Sequence, residues 1–504
     1  MDDRHKLGFL GATSYVIGNI IGSGIFITPA SILRCTDSVG LSLIVWVACA
    51  FIAILGALVY IELGTSIREA GCDFAYICYV KWYSIAFSFM FVSVLMTYPA
   101  TIAIIAETFG QYLIEGLKQV YEIDDEWVPI AQKLFGFSLL MVVTWINFFS
   151  LSKFAARFQI VATVAKLLSC FLIIATGFYY YFIKGWKSNL RDPMKGSNYK
   201  VGDLILGFYG GLWAYSGWDV LNYSTGEIAN PRRNIPLALL SGIATVTAVY
   251  VSINVAYFVA LDVEAVKSSN AVAALFSQAT LGSLANVIPF LIGVLLVGSL
   301  NSNLFSGSRY MYAAARQGHL PTCFSCVNVA TESPRVAVIT QSALAMAISF
   351  VGDLDALISY VMFGFWAQRV FTLIALLIIR HTRIPVHAEA VRVPLWCIYA
   401  FLIVTVALVL PLWIRVLNDR TTFVCCIIFD CLPDVKPGVG VTLLSSSIST
   451  QALLPVRLSA SQLSEEDSVL DLHSDEKNVL CRNTSSAGFK LFVPSTLVDL
   501  MSDV

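Results

Sequence analysis

The stretch Ile17-Gly18-Asn19-Ile20-Ile21-Gly22-Ser23-Gly24-Ile25-Phe26-Ile27 decides the fold. It is apolar on both sides of a Gly-Ser-Gly triplet, and glycine inside a helix costs about 1 kcal/mol relative to alanine. In hydrocarbon an unpaired N–H or C=O costs several kcal/mol more. Broken backbone persists there only where it lines a cavity or meets a ligand. A second run of the same kind lies far along the chain, Leu204-Ile205-Leu206-Gly207-Phe208-Tyr209-Gly210-Gly211-Leu212-Trp213-Ala214-Tyr215-Ser216-Gly217-Trp218, again apolar, aromatic and punctured by glycines.

Composition sets the medium in which these breaks are read. Of 504 residues, 57% are hydrophobic and 13% charged, and mean hydropathy is +0.76. A soluble globule carries about 25% charged residues, so the chain is expected to be an all-α polytopic membrane protein. Apolar stretches of about 20 residues fall at 9–33, 41–61, 85–113, 133–150, 157–182, 203–224, 236–260, 285–314, 335–351, 356–380 and 393–417. Arg4 and Lys6 precede the first, and no small-residue cleavage site marks it as a signal peptide, so residues 1–8 are expected in the cytosol. Arg68, Lys81, Lys153, Arg157, Arg232, Arg233, Arg316, Arg335, Arg380, Arg383 and Arg392 then share the inner side, as basic loops should. The outer loop 183–202 runs against that rule with Lys184, Lys187, Arg191, Lys195 and Lys200. The net charge of −1 says nothing of partners.

Spans 1–5 (9–182) and spans 6–10 (203–380) are expected to form two repeats separated by the loop 183–202, each opening on an interrupted helix; span 11 follows at 393–417. No residue-by-residue repeat relates the halves. From 418 to 504 the chain turns Ser-rich and polar, an atypical tail expected to be disordered. An odd span count would leave it outside, with the sequon Asn483-Thr484-Ser485 open to glycosylation. The cysteines form no disulfide framework. Cys49 and Cys170 sit in apolar runs as small hydrophobes, and Cys323-x-x-Cys326 lacks the second pair that zinc would need. Neither metal nor cofactor is expected.

A helix interrupted at Gly22–Gly24 starts again there, presenting free N–H groups of Ser23, Gly24 and Ile25 at the positive end of its dipole. An anion is the natural occupant, and a side chain at Gly24 is expected to fill its place. The inner half ends at the same level, so carbonyls around Ile20 and Ile21 can accept from an ammonium group. One break thus offers both halves of a zwitterion site. Close helix packing explains small residues equally well. The second break turns the reading toward a site, since Gly210, Gly211, Ser216 and Gly217 lie among Trp213, Tyr215 and Trp218, the lining of a mostly apolar cavity. Two interrupted spans in corresponding halves point to transport through a central binding site.

Ionisable residues at membrane depth are functional candidates. Lys166 interrupts an apolar run and is a candidate fixed cation in place of a bound sodium ion; Asp219 follows the second break as a counter-charge or as part of the inner end. Glu107 and Arg369 lie closer to span ends. An embedded enzyme would need a His or Asp/His constellation within the membrane. His5, His319, His381, His387 and His473 all fall at span ends, in loops or in the tail, so no catalytic residue is expected.

The runs Ile20–Phe26 and Gly211–Trp218, with Asn230-Pro231-Arg232-Arg233-Asn234-Ile235-Pro236 and Arg316-Gln317-Gly318-His319-Leu320-Pro321, resemble the L-type amino-acid transporters. These are the light chains of heteromeric amino-acid transporters, within the amino acid-polyamine-organocation superfamily; the resemblance covers residues 7–417. It implies LeuT-like inverted five-helix repeats with broken spans 1 and 6, alternating access, a plasma-membrane location and sodium-independent exchange of neutral L-amino acids, with cationic ones left open. Carried over residue by residue, carboxylate binding falls on Ser23 and Gly24 beside Ile25, and amine-binding carbonyls on Ile20 and Trp213. Trp213 would also be the aromatic gate, Ser216 the selectivity position and Lys166 the sodium surrogate, while Asp219 pulls toward cationic substrates. A transport-inactive amino-acid sensor using the same site is the alternative. Two departures stand out. The family's heavy chain is joined through a cysteine in the outer loop between spans 3 and 4, but Ile114 to Gln132 contains none, so a covalent partner is not expected and a non-covalent one stays open. A twelfth span is missing.

Overall fold

The computed structural model describes residues 8–418 except 68–71, 119–120, 122–123, 125, 149–151, 187, 224–227, 229, 270, 283–284, 317, 328–332 and 389; at 152–163, 188, 223, 231 and 411–418 it describes the backbone alone. The tail from 419, with its sequon and the question of a twelfth span, lies outside the described residues.

The Gly-Ser-Gly triplet splits the first span into α1 (Phe9–Ile20) and α2 (Gly24–Thr36), bent by 49°. α3 (Val39–Ser66) is followed by a short inner helix, α4 (Asp73–Tyr79), and by a long span in which α5 (Tyr83–Val92) passes through a π turn, Ser93–Thr97, into α6 (Tyr98–Lys118). That turn has a local cause. Pro99 brings no N–H to the helix, and the Tyr98 N–H bonds back five residues to Ser93. The Val94 carbonyl takes its hydrogen bond from the Gln341 side chain at 2.8 Å.

α7 (Val128–Ile146) and α8 (Ser152–Phe182) follow; α9 (Val201–Ala214) is separated by a turn at 215–219 from the four-residue α10 (Val220–Tyr223). After α11 (Pro231–Ala260) come two short helices, α12 (Val263–Ser268) and α13 (Val272–Leu281), then α14 (Val287–Arg316), α15 (Arg335–Ile348), α16 (Leu354–Thr382) and α17 (Leu395–Asn418). Among the described residues, seven helices, and the bent α1–α2 pair as an eighth, are long and apolar enough to cross a membrane; α9, α13, α15 and the first part of α17 are shorter apolar helices. Each of the eleven apolar stretches therefore holds a helix. The all-helical membrane fold class is borne out.

One expectation changes. Gly210 and Gly211 do not free backbone groups, because α9 runs unbroken through them to Ala214. They are close-approach positions: a Cβ on Gly211 would sit 2.5 Å from the Cys49 sulfur, and one on Gly210 would sit 3.2 Å from Ile32. The unwinding comes later, where Gly217 takes φ +92°.

Hydrogen bonds sort the helix ends as alternating spans require. The loop after α8 is pinned to the α2–α3 turn through Gly40 N–H to Pro193 C=O (2.7 Å) and Asn198 N–H to Thr36 C=O (2.9 Å). At the opposite end, that of the N-terminus and here termed inner, Arg380 of α16 grips Glu62 of α3 with two bonds of 2.5 and 2.6 Å. The same Glu62 accepts from Val393 N–H, closing the loop before α17. A buried pair so fully hydrogen-bonded offsets its own desolvation.

Candidate functional site

At the first break the last α-helical bond of α1 runs from Ile21 N–H to Ile17 C=O, after which Gly22 N–H turns back to Ile20 C=O at 2.7 Å. Three carbonyls, Gly18, Asn19 and Ile20, thereby lose their usual partners. The Lys166 ammonium of α8 donates to Gly18 C=O at 2.7 Å. Tyr250 of α11 donates to Ile20 C=O at 2.8 Å and lies 3.0 Å from Ala214 C=O at the end of α9, tying both breaks to one hydroxyl. The Asn19 carbonyl has no partner among the described residues, while its side chain donates to Gly217 C=O at 3.0 Å.

On the other side of the break α2 begins uncapped. Ser23 makes no side-chain cap, and the first bond into the helix is Phe26 N–H to Ser23 C=O. The N–H groups of Ser23, Gly24 and Ile25 have no hydrogen-bond partner among the described residues. They form the positive end of a helix dipole, the preferred seat of an anion.

Both breaks open into one cavity of about 250 Å³. Its lining joins Gly18 to Ile20 and Gly22 to Gly24 with Lys166, Trp213, Ala214, Ser216 and Gly217. Tyr98, Thr101 and Ile105 of α6, Ser299, Ser302 and Asn303 of α14, and Phe365 of α16 complete it. Asn19 is exposed through this cavity, whereas Ile25, Phe26 and Ile27 on the outer side are buried. The opening therefore faces the inner end. Outward, Arg34 of α2 holds the closure with bonds to Asp355 (2.8 Å), Lys267 C=O (2.7 Å) and Ser269 C=O (3.2 Å). Lys267 in turn reaches Asp37 at 2.6 Å, and that hydrogen bond raises the ammonium above its usual range. A raised lysine keeps its contribution at all pH values below the unfolded pKa, so this outer clasp persists through neutral pH.

A mostly apolar chamber, an uncapped helix start and free carbonyls can hold a small zwitterion without covalent chemistry. Comparison with known proteins gives the chamber its context. Residues 7–429 match the family described as amino acid permease. The chain belongs to that family. This permease is 46% identical over 414 residues to amino acid transporter protein 6 of Caenorhabditis elegans, covering 82% of this chain and 78% of that protein. It is 38% identical to the human cystine/glutamate transporter (78% and 77% covered) and 32% identical to the human b(0,+)-type amino acid transporter 1 (81% and 82% covered). The expected kinship with amino-acid transporters is borne out. The permease is an integral multi-pass protein that moves amino acids, and it is not an enzyme.

Of the residues singled out in the sequence, the permease brings Ile20, Ser23, Gly24, Trp213, Ser216 and Lys166 around one cavity. Ile25 is buried outside the lining, and Asp219 lies apart, paired with Arg369 at 3.3 Å. The Ile20 carbonyl, expected to be open, already accepts from Gly22 N–H and Tyr250, and the Trp213 carbonyl accepts from Ser216 N–H at 3.1 Å. Glu107 pairs with Lys133 of α7 at 3.7 Å, away from the cavity. Sequence reading missed Tyr250, which carries no local signal, and Asn19, a polar residue within the apolar run before the triplet. It also passed over Ser299, Ser302 and Asn303, a polar run inside an apolar span that was visible in principle.

Tyr250 links two helix ends that must part if either break rearranges. Tyr250→Phe removes the hydroxyl that donates to the Ile20 carbonyl and lies against that of Ala214, and one buried hydrogen bond is worth about 0.5–1.5 kcal/mol. The expected result is an exchange rate about two- to tenfold lower with unchanged membrane insertion, read by labelled amino-acid flux; full activity would remove Tyr250 from the site.

Proposed function

We propose that this permease is a sodium-independent exchanger of neutral L-amino acids at the plasma membrane, working through LeuT-like inverted repeats, 9–182 and 203–380. The observation that carries the reading is the unengaged N-terminus of α2 facing the same cavity as Lys166. The substrate carboxylate docks on the N–H groups of Ser23, Gly24 and Ile25. Its ammonium takes the Asn19 carbonyl, and Ile20 contributes once Tyr250 lets go. The side chain lies against Trp213 and Ser216, and Lys166 supplies the fixed positive charge that replaces a sodium ion.

The neutral class is supported by the lining, which holds no carboxylate among the described residues. Asp219, whose position pulled toward cationic substrates, is engaged by Arg369 instead. The segment Ile114 to Gln132 has no cysteine, so a heavy-chain partner would associate without a disulfide there.

Proteoliposomes of the purified chain, loaded with unlabelled leucine or arginine, test this. Uptake of labelled leucine that needs internal leucine and is indifferent to sodium is expected. Stronger exchange with arginine would overturn the substrate class, and binding without flux would make the protein a sensor.

A further inference from the structure

Lys166 and the cavity leave a second set of buried charges unused. Behind Trp218, Asp219 meets Asp73 at the start of α4 and Arg369 of α16. A carboxylate oxygen of each aspartate and the Cys72 sulfur all lie within 4.8 Å of one another. Arg369 donates to Asp219 at 3.3 Å, with its guanidinium 5.1 Å from the ring centre of Trp218 and 4.9 Å from that of Trp366. Tyr60 of α3 and Thr372 of α16 both donate to the same oxygen, Oδ1, of Asp73. Asp73, Asp219 and Arg369 are 9%, 8% and 6% exposed.

Among the described residues the charges of this cluster do not balance. The other buried charges among the described residues are placed elsewhere, Lys166 on Gly18 and Glu62 with Arg380. Two ionised aspartates facing one guanidinium would bury a net negative charge, which is unfavourable by several kcal/mol. Carboxylates that share a site resolve this by holding a proton between them. Tyr76 of α4 is fully buried and faces Cys72, Asp73 and Asp219, yet its hydroxyl has no hydrogen-bond partner among the described residues. Among the described residues, the remaining titratable groups near the pair are Tyr60 from α3, Tyr98 from α6 and Tyr310 from α14. Phenols and a thiol add no charge near neutral pH.

We propose that Asp73, lying beside the ion pair of Asp219 with Arg369, binds one proton in the inward-facing state and thereby links exchange to the pH of the inner side. Asp219 lies two residues beyond Gly217 and travels with the second break, whereas Asp73 belongs to α4. Rearrangement of the break parts the two carboxylates and removes the repulsion that keeps the proton on Asp73. Loss of the proton at high pH leaves the packed cluster with an uncompensated charge, disfavours the inward-facing state and slows the cycle. The link to exchange rests on the exchanger reading above; proton binding itself does not.

Two measurements test it. Infrared difference spectra of the purified full chain, titrated from about pH 5 to about pH 9, follow the C=O stretch of protonated carboxylic acids. Wild type is expected to carry one more protonated carboxyl at neutral pH than Asp73→Asn or Asp219→Asn, because each variant leaves a single carboxylate with Arg369. Equal bands in wild type and the folded variants overturn the proposal. In proteoliposomes, wild-type leucine exchange is expected to slow about threefold or more as the pH facing the inner end rises from about 6 to about 8. Exchange indifferent to that pH overturns the link even if neither variant folds. Absence of exchange at every pH would refute the exchanger reading and leave the infrared result to decide the proton site.

Discussion

Lys166→Ala is expected to lower exchange about 30- to 100-fold while the protein still inserts and remains monodisperse in detergent. Lys166 is 6% exposed, and its ammonium donates at 2.7 Å to Gly18 C=O, one of three carbonyls that the first break strips of helical partners. A charged donor on a buried carbonyl contributes about 1.5–3 kcal/mol, and the negative end of the α1 dipole adds to it. Without it, the inner half of the first span ends on an unpaired carbonyl inside a low-dielectric wall, and the level at which Asn19 and Ile20 face the cavity is no longer fixed. Since 1.4 kcal/mol is a factor of ten, the lost interaction accounts for the predicted fall. Lys166→Arg keeps the charge but not the length, so partial activity is expected from it. If sodium restores exchange to Lys166→Ala, the lysine is an ion surrogate as well as a cap. Wild-type kinetics in the alanine variant, with or without sodium, would remove Lys166 from the mechanism.

The first break was legible because three small residues in an apolar run leave few physical alternatives. The second was legible only as a region. Gly210 and Gly211 advertise unwinding, yet both are spent on close approach to Ile32 and Cys49, and the chain unwinds where Gly217 adopts a conformation reserved for glycine. Sequence cannot separate these uses, since a glycine that lets a neighbour in and one that turns the chain look alike. Charges at membrane depth were visible one at a time. That Asp219 and Arg369 answer each other across 150 positions is a property of the fold. Tyr250 was invisible for another reason: a tyrosine in an apolar helix reads as core, and only its hydroxyl's two neighbours, Ile20 and Ala214, reveal the role. The helix α13 escaped because ten residues cannot be told from a loop by a search for spans of about 20.

Gly24→Val is expected to abolish exchange, for a reason other than the one its place in the sequence suggests. The position promises a carboxylate site that a side chain would fill. In the structure a Cβ on Gly24 points away from that site and into α9, 2.6 Å from the Cα of Ala214 and 3.2 Å from its backbone N. Backbone cannot rotate aside as a side chain can, so α2 and α9 must separate, which at ordinary overpacking costs about 1–3 kcal/mol or more. Because those two helices carry the two breaks, the separation misplaces both halves of the site. Neighbouring positions distinguish the explanations. A Cβ on Gly22, which also lines the cavity, meets nothing nearer than 3.8 Å. Gly22→Ala should therefore fold with wild-type thermal stability and raise the KM for amino acid. Gly24→Ala should melt at a lower temperature and lose maximal rate, and Ala214→Gly should not rescue it, because the nearest atom is Cα and not Cβ. Gly24→Ala with wild-type stability and only a raised KM would show that the side chain enters the cavity after all.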